Sequence, residues 1–330
     1  MTMRVAVTDD WQDVSRSCAS WDALQTRAEV VWFTEPFADD DVAVAALADF
    51  DVIVPMRDRT RLPAAFLRRL PRLKLIAQTG MLALHIDVPY CDAHGIPICG
   101  SVADNINVNA TPELTLGLIL AAAHHIAKGD ANMRVGRFQQ GIAFGETLAG
   151  STMGVIGLGN IGKRMVQYGR MLGMDVLAWS PNMTAERAAA AGATSVSKAD
   201  LMARSDVVTL HLVHAESTVG IIGASDLARM KRGAMFVNTA RAAIVDEVAL
   251  IAALAENRII AALDVYEREP LPADHPLRTL PNTVLTPHLG FIKRDAFTGF
   301  YTQSVENVLA WLDGAPRRVL NLARPDRKAS

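Results

Sequence analysis

Three ionisable side chains stand where an apolar, strand-like run gives way to a loop. In "MFVNTARAAIVDE", residues 235–247, the run at 234–237 opens into small residues and then delivers Arg241. An arginine there either snorkels to solvent or holds out a planar fork for a carboxylate. "AALDVYEREPLP" offers Asp264, Glu267 and Glu269 after a similar run, and "NTVLTPHLGF" offers His288 just after Thr-Pro. Ligands of an open α/β sheet bind outside the carboxyl ends of its strands, so three consecutive strands would aim Arg241, Glu269 and His288 at one crevice. Glu267 is an alternative acid for that set. A guanidinium, a carboxylate and an imidazole together can clamp an organic acid and move a proton near neutral pH.

A second motif supplies a partner for that chemistry. "TMGVIGLGNIGKRMVQYGRMLGM" sets Gly157, Gly159 and Gly162 directly after a strand pattern at 152–156 and at the mouth of a helical pattern at 161–172. The glycines suit a tight turn, close approach of backbone to a pyrophosphate, and close helix–strand packing. The N–H groups of Asn160, Ile161 and Gly162 would then face the phosphates at the positive helix end. Ser180 ends the following strand, where an acid would take the ribose hydroxyls of NAD. Arg187 is the nearest arginine, several residues on, so NAD and NADP both stay open.

These groups need a scaffold, and the apolar pattern predicts one. "RVAV", "VVWF", "DVIVPM", "LKLIAQTG" and "IPICG" read as short strands separated by helical patterns such as "DDVAVAALADF" and "LPAAFLRRL". Six more, "TMGVIGLG", "DVLAWS", "VVTLHL", "AMFVNTA", "IIAALDVY" and "NTVLTPH", match a dinucleotide-binding sheet. Alternation of this kind predicts parallel sheets covered by helices. The Asn-rich stretch after Gly100 reads as a linker into a long helix starting near Thr111 or Pro112. "RDAFTGFYTQSVENVLAWLDG" reads as an amphipathic helix returning to the first domain, with Gly314 as its cap. The expected domains are 1–102 with 293–330 for substrate, and 103–292 for dinucleotide.

Composition narrows the partners. The 330 residues are 50% apolar and 21% charged with a formal net charge of −2, which offers no basic stripe for nucleic acid or an anionic membrane. Small molecules or a second copy of the chain are expected instead. Cys18, Cys91 and Cys99 fit no disulfide framework or metal spacing and read as small core residues of a reducing compartment. Acids at Asp9 and Asp10 argue against a signal peptide, and no apolar segment reaches the ~20 residues that span a bilayer. The expected location is cytoplasmic. No metal is expected, because the remaining histidines lack ligand spacing; His211 in "TLHLVH" reads as packing near the cofactor cleft.

The pieces "GVIGLGNIGKRM", "MKRGAMFVNTARAAIVDEVAL", "AALDVYEREPLP" and "NTVLTPHLG" resemble, in order and spacing, the D-isomer-specific 2-hydroxyacid dehydrogenase family over nearly the whole chain. The resemblance implies a Rossmann-type doubly wound parallel sheet inserted into a flavodoxin-like substrate domain, and usually a homodimer. It implies a catalytic set of Arg241, Glu269 and His288, with Asp264 contacting the nicotinamide side of NAD or NADP. The implied reaction is reduction of a small 2-oxo acid such as glyoxylate or hydroxypyruvate, or oxidation of an (R)-2-hydroxy acid such as phosphoglycerate. In it His288 is the acid, Glu269 orients the imidazole and Arg241 clamps the substrate carboxylate.

The same resemblance implies a substrate loop after the fourth strand. In "QTGMLALHID" Gly80 matches, but Leu82 stands where a second glycine is usual, leaving the N–H groups of Met81 and Leu82 as candidate donors. Arg57 in "VPMRDRT" either reaches the substrate or is solvated. Ala242 replaces a common glycine, and Phe291 stands where a small residue is frequent, a candidate wall of the pocket. Formate-oxidising relatives carry Gln where Glu269 stands. Serine-pathway relatives often carry an extra regulatory domain, for which no room is expected after Ser330. The alternative from another class is an NAD(H)-sensing corepressor of the same fold.

Overall fold

A computed structural model describes residues 2–102 and 109–321. Most of the predicted polar linker lies outside the described residues. The contacts divide the chain into two compact units, one within Met1–Asn107 and Lys293–Ser330, the other within Val108–Ile292.

The first unit holds one five-stranded sheet of β1 (Met3–Thr8), β2 (Ala28–Trp32), β3 (Val52–Pro55), β4 (Leu75–Ala77) and β5 (Ile98–Cys99), in the order β2-β1-β3-β4-β5. Every pairing is parallel. This is the flavodoxin-like order. Val5, Ala6, Val7, Val52, Val54, Leu75, Ile76 and Ile98 are wholly or almost wholly buried, as expected of strands covered on both faces. The last helix of this unit covers the sheet with Phe297, Phe300, Tyr301, Val305 and Val308, and Asn307 donates to the Gly100 carbonyl at 2.8 Å.

The second unit holds seven parallel strands: β6 (Thr152–Ile156), β7 (Asp175–Trp179), β8 (Thr194–Ser195), β9 (Val207–Leu210), β10 (Met235–Asn238), β11 (Ile260–Leu263) and β12 (Thr283–Leu285). Their order is β12-β11-β10-β9-β6-β7-β8, which reverses direction between β6 and β9. That reversal is the switch point at which a doubly wound sheet opens a crevice for a ligand. The sequence pattern predicted six strands; the seventh, β8, is a two-residue edge with no apolar run, held by pairing Leu177 with Thr194. Three helices matter below: α1 (Ala110–Ala123), α2 (Asn160–Met171) and α3 (Arg294–Leu312), the last being the helix of the first unit. α1 starts beside the predicted Thr111 and Pro112 and ends at Ala123 with His124 as its cap; the next residue, His125, has a left-handed φ of 52°. Cys91 and Cys99 are buried as predicted, whereas Cys18 is only part-buried. No helix among the described residues is long and apolar enough to cross a membrane.

Candidate active site

The glycine loop joins β6 to α2. Gly157 has a φ of 94°, open to glycine at little cost, and a Cβ there would meet the His211 backbone at 2.6 Å. A Cβ on Gly162 would fall on the Gly157 carbonyl oxygen, so helix and loop touch through the missing side chain. At Gly159 a Cβ would meet nothing within 4 Å, which leaves the approach to the first turn of α2 clear. Asn160, Ile161 and Gly162 supply backbone N–H groups of that first turn, which lack partners within the helix. This cradle fits a dinucleotide pyrophosphate. His211 lies beside it: Thr209 Oγ1 and the ring Nε2 are 2.8 Å apart, while Nδ1 is sealed from solvent without a partner among the described residues. Burial pushes this imidazole down to about 3, so it is neutral near pH 7. Ser180 follows β7 and accepts Met183 N–H on its carbonyl.

The ends of β10, β11 and β12 lie side by side, with Asn238 opposite Leu263 and Leu263 opposite Leu285. Each strand end then carries one of the predicted groups. His288 stands in the left-handed region at a φ of 52°. Its Nδ1 lies 2.6 Å from Glu269 Oε2. A carboxylate only accepts, so Nδ1 carries the proton and the Nε2 face is left for a ligand. The other oxygen of Glu269 accepts Tyr266 N–H at 2.9 Å, which fixes the carboxylate plane. Glu267, the alternative acid, is exposed. The Phe291 ring meets the imidazole edge-on at 5.3 Å between centroids.

Asp264 is 1% exposed, and its carboxylate accepts Thr286 Oγ1 at 2.6 Å, Leu289 N–H at 2.7 Å and Gly290 N–H at 2.9 Å. Both oxygens are thereby committed to the loop that carries His288. Burial raises this carboxyl above its ordinary range, against the lowering effect of those three bonds. Thr111 of α1 adds a bond to the Gly290 carbonyl at 3.1 Å.

Arg241 is not hydrogen-bonded to Glu269 or His288. One guanidinium nitrogen, Nη1, donates to the Ala240 carbonyl at 2.7 Å, and its other donors have no protein partner among the described residues. Sequence reasoning missed the residue that shapes this turn. Asn238, 2% exposed, accepts Ala240 N–H at 2.9 Å and donates to the Arg241 carbonyl at 3.1 Å. The available signal was an amide ending a buried strand just before the arginine, since Asn side chains bond backbone two or three residues on.

In the first unit, Arg57 follows β3 at a φ of 52°, and its N–H bonds Thr79 Oγ1 at 2.7 Å. Gly80 stands next to it at a φ of 103°, where a Cβ would lie 3.5 Å from the Arg57 guanidinium. Met81 and Leu82 are exposed, 45% and 70%. Gln78, also missed, is fully buried and donates to the carbonyls of Gly80 and Leu82 at 3.2 and 2.9 Å, which stiffens this loop.

With this geometry established, comparison with known proteins decides the lineage. Residues 116–290 match the family model described as D-isomer specific 2-hydroxyacid dehydrogenase, NAD binding domain. The chain belongs to this family. A glyoxylate reductase of Aeropyrum pernix is 36% identical over 270 residues, covering 79% of this chain and 80% of that protein. A D-3-phosphoglycerate dehydrogenase of Archaeoglobus fulgidus is 36% identical over 275 residues, 83% of this chain but 52% of the relative. The chain thus spans about half the length of the first of its curated relatives. Among solved structures, a phosphoglycerate oxidoreductase from Vibrio cholerae O395 superposes with a TM-score of 0.88 at 36% identity, covering 95% of this chain and 100% of that one. NAD(P) is the cofactor of the matched domain, and the glycine cradle fits it.

Proposed function

We propose that the protein is an NAD(P)-dependent D-2-hydroxyacid dehydrogenase, reducing a small 2-oxo acid or oxidising the corresponding (R)-2-hydroxy acid. The observation that carries this reading is the His288–Glu269 pair at 2.6 Å on strand ends adjacent to that of Arg241. The glycine loop of Gly157, Gly159 and Gly162 would hold NAD(P)H, which would supply the hydride for the carbonyl carbon. His288 gives the proton from Nε2 to the carbonyl oxygen, and takes it back in oxidation. Glu269 holds Nδ1–H, so the ring presents Nε2 in both directions. Arg241 binds the substrate carboxylate through guanidinium donors its own backbone leaves open. Asp264 is proposed to contact the nicotinamide side of the cofactor, and its bonds to Thr286, Leu289 and Gly290 give it a positioning role for the 286–290 loop as well. Arg57 and the N–H groups of Met81 and Leu82 are the proposed substrate contacts of the first unit.

Glyoxylate, hydroxypyruvate and phosphoglycerate are the candidate substrates. A homodimer is part of the proposal, supported by Ile126, Met133, Val135, Phe138 and Phe144, which are 53–98% exposed along one segment of the second unit. Three free thiols support a cytoplasmic location. The test is His288→Ala: kcat for 2-oxo acid reduction should fall by at least about a hundredfold with dinucleotide affinity retained. Near-normal turnover removes His288 from the mechanism.

A further inference from the structure

The loop that leaves β7 runs Ser180, Pro181, Asn182, Met183 and then Thr184, which caps the short helix Ala185–Ala191. In a dinucleotide sheet this strand end faces the adenosine ribose, and a carboxylate there binds the ribose hydroxyls while repelling a 2′-phosphate. No acid stands between Trp179 and Ala185. The helix start folds the chain so that Arg187, several residues beyond Ser180, returns to the loop. Its N–H bonds the Thr184 hydroxyl at 3.2 Å, and its guanidinium Nη1 donates to the Asn182 carbonyl at 2.7 Å. The side chain is exposed and joins no ion pair among the described residues. The adjacent acid, Glu186, is engaged with its own N–H and the Thr184 hydroxyl, which hold its carboxyl below the usual range. A cation with open donors is therefore anchored beside a hydroxyl and an exposed amide, where the fold brings the ribose.

We propose that this loop binds the adenosine 2′-phosphate of NADP(H), taken by the Arg187 guanidinium, the Ser180 hydroxyl and the Asn182 amide. The proposal rests on dinucleotide binding at the glycine loop and adds to it the choice between the two nicotinamide cofactors. The planar guanidinium matches two phosphate oxygens at once, and serine and asparagine add neutral donors to the third. NADH offers the same loop only hydroxyls, with no carboxylate to receive them.

The test is direct binding to the full chain, read by nicotinamide fluorescence without any 2-oxo acid. NADPH should bind at least about tenfold more tightly than NADH at low ionic strength, and added salt should shrink that ratio because the site is exposed. Adenosine 2′,5′-bisphosphate should displace NADPH better than 5′-AMP does. Arg187→Ala should weaken NADPH about tenfold and leave NADH within about twofold, with Arg187→Lys between them. Ser180→Asp should reverse the preference. NADH binding as tightly as NADPH, or Arg187→Ala weakening both equally, overturns the proposal. Binding of neither dinucleotide overturns it together with the glycine-loop site beneath it.

Discussion

Asp264→Asn tests whether the loop that carries His288 is held as described, because the change keeps the shape and removes the charge. The aspartate accepts three bonds, from Thr286 Oγ1, Leu289 N–H and Gly290 N–H. In the best orientation an asparagine keeps Oδ1 for Thr286 and Leu289 and turns its NH2 toward Gly290. One buried N–H then faces another donor, which costs about 1–3 kcal/mol, and the two surviving bonds lose their charge assistance, roughly 1 kcal/mol each. Relief of the carboxylate's desolvation, the same effect that raises its pKa, offsets part of this loss. The net expectation is a destabilisation of about 2–3 kcal/mol, or roughly 5–10 °C in the melting transition of a unit this size. Since His288 is held in a left-handed conformation by the same loop, kcat should fall about tenfold or more as the imidazole loses its placement. Calorimetry on the variant, paired with steady-state turnover, reads both. A melting temperature within a degree of wild type together with unchanged kcat would refute the assignment of Asp264 to the loop.

Other outcomes follow from single contacts. Asn238→Ala frees the turn that carries Arg241, so KM for the 2-oxo acid should rise about tenfold with dinucleotide affinity unchanged; an unaltered KM would show that the turn holds itself. Gly162→Ala places a methyl against the Gly157 carbonyl and should abolish dinucleotide binding in a titration, whereas wild-type affinity would mean that helix and loop separate freely. His85 and His211 are part-buried, and desolvation lowers their pKa values to about 4 and about 3. The unfolded chain therefore binds more protons below the ordinary value of 6.5. Stability is fully present above that pH and is lost as pH falls through it, by about 1.4 kcal/mol per pH unit for each histidine. His85's share is exhausted near pH 4 and His211's near pH 3. Urea midpoints that do not move between neutral pH and pH 5 would contradict this.

How much of this was legible in the sequence depended on whether a feature is local. Eleven strands could be read because each is a short apolar run bounded by turn residues, such as Val52–Pro55 or Ile260–Leu263. β8 could not, because Thr194 and Ser195 are polar and become a strand only through pairing with β7. The histidine, glutamate and arginine were visible as ionisable residues at strand ends. Their supports were not: Asn238, Gln78 and Tyr266 read as ordinary turn or core residues until their bonding partners are seen. Arg187 stood several residues beyond Ser180, which left NAD and NADP both open, and the helix start brings its guanidinium back to the Asn182 carbonyl. Glu269 against Glu267 was likewise undecidable from spacing alone, and the bond to His288 distinguishes them.

The central claim is hydride exchange between a nicotinamide and a 2-oxo acid. Its most direct measurement is the loss of reduced-nicotinamide absorbance when NADPH and NADH are each offered with glyoxylate, hydroxypyruvate, pyruvate and bulkier 2-oxo acids. The account predicts turnover with at least one of these acids, and its collapse in the His288→Ala protein. Tight dinucleotide binding with no oxidation by any acid in the panel would contradict it, and would make the chain a nucleotide sensor built on a dehydrogenase fold.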